Sequence, residues 1–157
     1  MDTDTLLRLL AASVIGMAVG LDHDLRGKPA GMRTLGLVSL GAALVTVGTA
    51  HVPIIAGSPD ALSRAVQGAI QGVMTGIGFL GAGTILRRPR GVHGLTTAAG
   101  VWVTAALGIV CALSPWALIA AGTVLALALI VVAHPFEQRI ERRQARDLER
   151  PSPTSSD

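Results

Sequence analysis

Five stretches of this chain are each apolar enough, and close to long enough, to cross a lipid bilayer, and very little charge interrupts them. They are Thr5–Leu21, Thr34–Val52, Arg64–Leu86, Gly94–Leu113 and Trp116–Ala133. A helix needs about 20 predominantly apolar residues to span the hydrocarbon core. The first and last stretches sit near the short end of that range. A helix that is apolar on every side offers no face to water, so five in succession argue against a soluble bundle. The expected fold is therefore all-α, a polytopic membrane protein of about five transmembrane helices.

Composition supports this through its distribution. Only 15% of the residues are charged, and most of them gather near the N-terminus, in residues 22–33, in residues 87–90 and after His134. The 19 glycines fit close helix packing in a membrane, where small residues let backbones approach. The single cysteine, Cys111, has no partner for an intrachain disulfide and reads as a small apolar residue of the fourth helix.

The cations orient the helices. Arg26, Lys28 and Arg33 follow the first helix, Arg87, Arg88 and Arg90 follow the third, and the rest of the basic cluster lies in the tail. Of 13 Lys and Arg residues, only Arg8 and Arg64 fall towards the opposite side. The positive-inside rule then places the N-terminus outside and the C-terminus in the cytoplasm. Asp2 and Asp4 replace the basic start of a cleaved signal, so the first helix is expected to remain as a span. The sequence pI near 10.4 points to anionic lipid head groups rather than to nucleic acid. Residues 1–134 form the expected transmembrane domain. Residues 135–157 form a charged cytoplasmic tail, disordered at its end.

Punctuation between the spans is clear. Gly27, Pro29 and Gly31 make residues 22–33 a connector. Residues 53–63 read as an external loop, with Ser58 capping a helix whose first turn holds Pro59. Arg87–His93 reads as a tight basic turn. Ser114-Pro115 starts the fifth helix, and His134-Pro135 is expected to end it.

Three groups of residues stand out as carriers of function. The third helix repeats Gly68, Gly72 and Gly76 every four residues, a smooth groove for a neighbouring helix. Gln67, Gln71 and Thr75 repeat beside that groove. Amides inside a membrane need partners, so they either bond across helices or line a polar cavity or ligand site. Gly76, Gly78, Gly81 and Gly83 follow closely enough to permit a distorted helix at membrane depth. The fourth helix opens with Thr96, Thr97, Gly100 and Trp102, which read as packing residues. Asp22 and Asp24 flank His23 at the end of the first helix. They either bind a hard cation such as Mg²⁺ through carboxylate oxygens, or pair with Arg26, Lys28, Arg33 or the basic 87–90 turn to staple two connectors. No nucleophile with a base, phosphate loop or zinc motif is present. Catalysis and a bound cofactor are accordingly not expected.

Three blocks of the chain resemble the MgtC/SapB family of bacterial inner-membrane proteins. They are Gly20-Leu-Asp-His-Asp-Leu-Arg-Gly-Lys-Pro-Ala-Gly-Met-Arg-Thr34, Gly76-Ile-Gly-Phe-Leu-Gly-Ala-Gly-Thr-Ile-Leu86 and Val92-His-Gly-Leu-Thr-Thr-Ala-Ala-Gly-Val-Trp-Val-Thr-Ala-Ala-Leu-Gly108. The resemblance spans roughly residues 6–130. It implies a multi-helix membrane domain linked to growth under low magnesium and to stress adaptation, and in some pathogens to survival inside host cells. It further implies a regulator of membrane energetics acting on other membrane proteins, with the F-type ATP synthase as a proposed target. A homo-oligomer is a further expectation, as is the rival reading of a Mg²⁺ transporter or channel. The family's acids fall on Asp22 and Asp24. Its basic and turn residues fall on Arg26, Gly27, Lys28, Pro29, Gly31 and Arg33. Members usually carry Glu-Arg-Glu where this chain has Asp22-His23-Asp24. Many also carry a soluble C-terminal domain, and the 157 residues here are expected to end before one.

Overall fold

The computed structural model describes residues 2–52, 58–88 and 91–148. It contains five α-helices and one short hairpin: α1 (Thr3–Leu25), α2 (Met32–Ala50), α3 (Pro59–Gly83), β1 (Leu86–Arg88), β2 (Gly91–His93), α4 (Leu95–Leu113) and α5 (Trp116–Leu148). The first four helices are long and apolar enough to cross a membrane, and α5 adds a shorter apolar segment, Trp116–Val132. The protein is a multi-pass membrane protein. The Pro53–Gly57 part of the expected external loop and the end of the tail lie outside the described residues.

Helices α1, α2 and α4 form the packed centre, and glycine is the reason they fit. A methyl group at Gly16 would strike the Leu35 carbonyl oxygen and come within 2.8 Å of Ser39 Cβ. One at Gly108 would strike the Ser39 carbonyl oxygen. One at Gly20 would lie 2.5 Å from Met32 Cα. Backbone therefore meets backbone at three levels, the close approach that stabilises membrane helices in place of a hydrophobic drive. These contacts run α2 antiparallel to α1 and parallel to α4. Val19, Leu35, Ala42, Val101, Ala105 and Ile109 fill the space between them, with Ile77 reaching in from α3.

Five helices match the expectation, and their boundaries differ for physical reasons. The acids expected in a connector belong to the last turn of α1, which runs on to Leu25 before closing in a Schellman motif. There Lys28 N–H donates to His23 O at 2.9 Å and Gly27 N–H donates to Asp24 O at 3.1 Å, with Gly27 left-handed at φ +61°. The connector is then short, and Ala30 must also take a left-handed φ of +63°. At the other end of the bundle, α3 starts where Ser58 and Pro59 direct it, the Ala61 N–H donating to Ser58 Oγ at 3.4 Å. It stays helical through its glycines to Gly83 without the break that their density permits. The basic turn is a hairpin pairing Leu86 with His93, Arg87 with Val92 and Arg88 with Gly91. Gly94 (φ +91°) turns that hairpin into α4, against the Thr84 carbonyl oxygen.

The expected stop at His134-Pro135 does not occur, because α5 continues to Leu148. Proline removes one backbone donor from a helix interior and costs roughly 3 kcal/mol there. The following residues, rich in Glu, Gln and Arg, favour helix strongly enough to carry it past.

Candidate functional site

The residues singled out in the sequence separate into two places. At the α1–α2 junction, Asp22 and Asp24 both face partners inside the chain. Asp22 Oδ1 accepts from Arg26 Nε at 2.7 Å and pairs with Arg26 Nη2 at 2.6 Å, one helical turn on. Both side chains are largely shielded, at 15% and 19% exposure, so this pair is firmer than a surface ion pair. Asp24 accepts the Met32 N–H on Oδ2 at 2.8 Å, capping α2 from the end of α1. Gly31 leaves room for that carboxylate, since a methyl there would collide with Asp24 Oδ1. Asp22 thus takes Arg26, one of the expected partners, while Asp24 holds a backbone amide of α2. Arg33 makes no ion pair with either acid.

Between them points His23, flanked in the sequence by two acids yet turned inward. It is 1% exposed. Its Nδ1 lies 3.0 Å from the Ala30 carbonyl oxygen, which can only accept, so Nδ1 carries the proton. The far edge of the ring lies over Gly100 of α4, where a methyl would stand 3.0 Å from Cε1 and 3.2 Å from Nε2. The signal was present in the spacing Ala12, Gly16, Val19, His23. This is the buried stripe of α1 continued by one more step.

Thr97, Gly100 and Thr104 are buried on α4, and Thr104 Oγ1 donates to Gly100 O at 2.7 Å. Trp102 faces outward, half exposed. Across the bundle, Ser39 Oγ is buried and has no hydrogen-bond partner among the described residues. Arg8 anchors the first helix to the end of the fourth. It closes the opposite end: its Nη1 donates to Cys111 O at 3.0 Å and Ser114 O at 2.8 Å, its Nε donates to Asp4 at 2.6 Å, and its guanidinium stands 5.3 Å from the Trp116 ring. It caps the carbonyl end of α4, where a cation complements the helix dipole.

The second place is the outer face of α3. Gln67, Gln71 and Thr75 are exposed there beside Gly68, Gly72 and Gly76. Gly81 alone among the glycines singled out on this helix meets another helix, its added methyl lying 3.7 Å from Ala98 Cβ, whereas Gly68, Gly72, Gly76, Gly78 and Gly83 have nothing within 4 Å. Gly81 packs near the start of α4, the same end as His23. Gln71 and Gln67 lie ten and fourteen residues further back, about 15 and 21 Å along the axis. The acids and the amides therefore do not share a site. Among the described residues, no three His, Cys, Asp or Glu side chains converge as a metal site would require.

The model of the MgtC family matches residues 9–139. The chain belongs to the MgtC family. Protein SrpB of Synechococcus elongatus is 46% identical over 127 residues, covering 74% of this chain and 67% of SrpB. YhiD of Escherichia coli K12 is 38% identical over 146 residues, covering 89% of this chain and 65% of YhiD. MgtC of Salmonella typhimurium is 36% identical over 138 residues, covering 87% of this chain and 55% of MgtC. This MgtC-family chain thus spans between half and about two thirds of the length of these curated relatives. No solved structure matches it.

Proposed function

We propose that this chain is a non-enzymatic protein of the bacterial inner membrane that supports adaptation to magnesium limitation or stress by binding other membrane proteins. Its N-terminus lies outside and its C-terminus in the cytoplasm on this reading. The observation that carries it is the engagement of Asp22 and Asp24. One is paired with Arg26 and the other caps α2, so the family's acids act here as fasteners of the α1–α2 junction. Likeness to MgtC gives the magnesium context, and the F-type ATP synthase is the membrane complex to test first as a partner. A reporter fused after Asp157 is active only when the C-terminus is cytoplasmic, and it tests the orientation.

YhiD bears the name of a candidate magnesium transporter, which favours Mg²⁺ transport as the second reading. Proteoliposomes holding only this protein separate the two. On the regulatory reading they show no Mg²⁺ flux above empty vesicles, while a specific membrane protein co-purifies from native membranes. Robust flux that disappears in Asp22→Asn reverses the conclusion.

A further inference from the structure

Helix α3 carries a polar ladder that nothing in the described chain answers. Gln67, Gln71 and Thr75 are exposed on one face and make no hydrogen bond among the described residues. Gly68, Gly72 and Gly76 form an open groove immediately beside them. Towards the helix start the same face continues with Arg64 and Asp60, both exposed and without an ion pair among the described residues. With 25 residues, α3 is about 37 Å long, so its first turn reaches the interface while the glutamines lie within the hydrocarbon. Lipid tails cover apolar surface but offer no partner to an amide, and an unbonded amide in hydrocarbon is costly.

We propose that this face packs against the same face of a second copy, giving a parallel homodimer whose two-fold axis runs along the membrane normal. Copies inserted in the same sense necessarily present α3 in parallel, and a two-fold interface requires a self-complementary patch. This patch meets that requirement three times over. A glutamine carboxamide both donates and accepts, so Gln67 and Gln71 pair with their own counterparts. Each polar residue stands one position before a glycine, so the ridge of one helix enters the groove of the other in a right-handed crossing. Asp60 and Arg64 lie one turn apart, so each copy's acid meets the other's base, and the two unpaired charges of each copy become two reciprocal pairs across the interface. Helix α5 offers a contrast: Val124, Leu125, Leu129 and Val131 expose only apolar surface, which lipid satisfies.

Oxidative crosslinking of the full chain in native membranes tests this. Cys111 is replaced by alanine, and single cysteines are placed at Gln71 or Thr75, with Leu125 and Leu129 on α5 as controls. We expect a disulfide-linked dimer from the α3 positions, about tenfold above the α5 controls. Gly72→Ile, which meets nothing within the chain, is expected to lower that yield by about tenfold while leaving membrane insertion and thermal unfolding in detergent unchanged. Asp60→Arg is expected to weaken the dimer, and adding Arg64→Asp to restore it. Equal crosslinking from α3 and α5, insensitivity to Gly72→Ile, or capture of a different protein at Gln71 in place of a second copy overturns the proposal.

Discussion

Asp24, on the last turn of α1, accepts the backbone N–H of Met32, the first residue of α2, at 2.8 Å. One helix therefore caps the next across the connector, and Gly31 makes the contact possible by having no side chain. Asp24→Ala is expected to lower stability by about 1 kcal/mol, the usual effect of losing a capping acceptor, and Asp24→Asn by less. Gly31→Ala is expected to be destabilising alone, yet nearly additive-free on top of Asp24→Ala, because the clash requires the carboxylate. Unfolding in detergent for the four variants of this cycle measures the coupling.

Glycines of this chain should divide by what they touch. Gly108→Ala drives a methyl into the Ser39 backbone and Gly100→Ala drives one into the buried His23 ring, so both are expected to destabilise by about 1–3 kcal/mol. The Gly108 change should be the worse, since backbone yields less than a ring. Gly76→Ala touches nothing in the chain and should not lower the melting temperature of the detergent-solubilised monomer. Thermal melting of the three variants side by side decides it.

Arg8 ties α1 to the end of α4 with two charge-assisted bonds to carbonyl oxygens. Arg8→Ala is expected to reduce stability by about 1.5–3 kcal/mol. Arg8→Lys should recover only part, since an ammonium cannot spread donors over two carbonyls and Asp4 together. Melting temperatures of both variants provide the comparison.

Two left-handed residues flank the α1–α2 connector and should respond in opposite directions. Gly27→Ala places a Cβ at φ +61° and is expected to cost about 1 kcal/mol. Ala30→Gly relieves the same strain at φ +63° and is expected to stabilise by about 0.5 kcal/mol once the added freedom of the unfolded chain is counted. Denaturant titration showing both changes destabilising would refute the strain at Ala30.

The architecture was readable because the bilayer imposes a length and a polarity on every span, and five stretches met both. The start of α3 was readable from Ser58 and Pro59, since capping is local chemistry. What escaped was long-range. Nothing local says that Asp24 will cap a helix eight residues on, or that Arg8 will reach the far end of α4. His23 was hidden by its neighbours: between two acids it looks like surface, while its spacing from Val19 and Gly16 turns it inward. Proline at 135 misled in the other direction, because a rule about helix interiors is a penalty of finite size and strong flanking propensity exceeds it.

The backbone-to-backbone seams at Gly16, Gly20 and Gly108 have an architectural consequence. Helices joined that closely cannot slide or tilt past one another by a few tenths of an ångström without collision, so α1, α2 and α4 behave as one rigid beam. Helices α3 and α5 lean on the beam mainly through side chains, which can repack, with a looser backbone approach of Gly81 to Ala98. Any movement this protein makes in response to a partner is therefore expected in those two outer helices, with the beam as the fixed frame against which they shift.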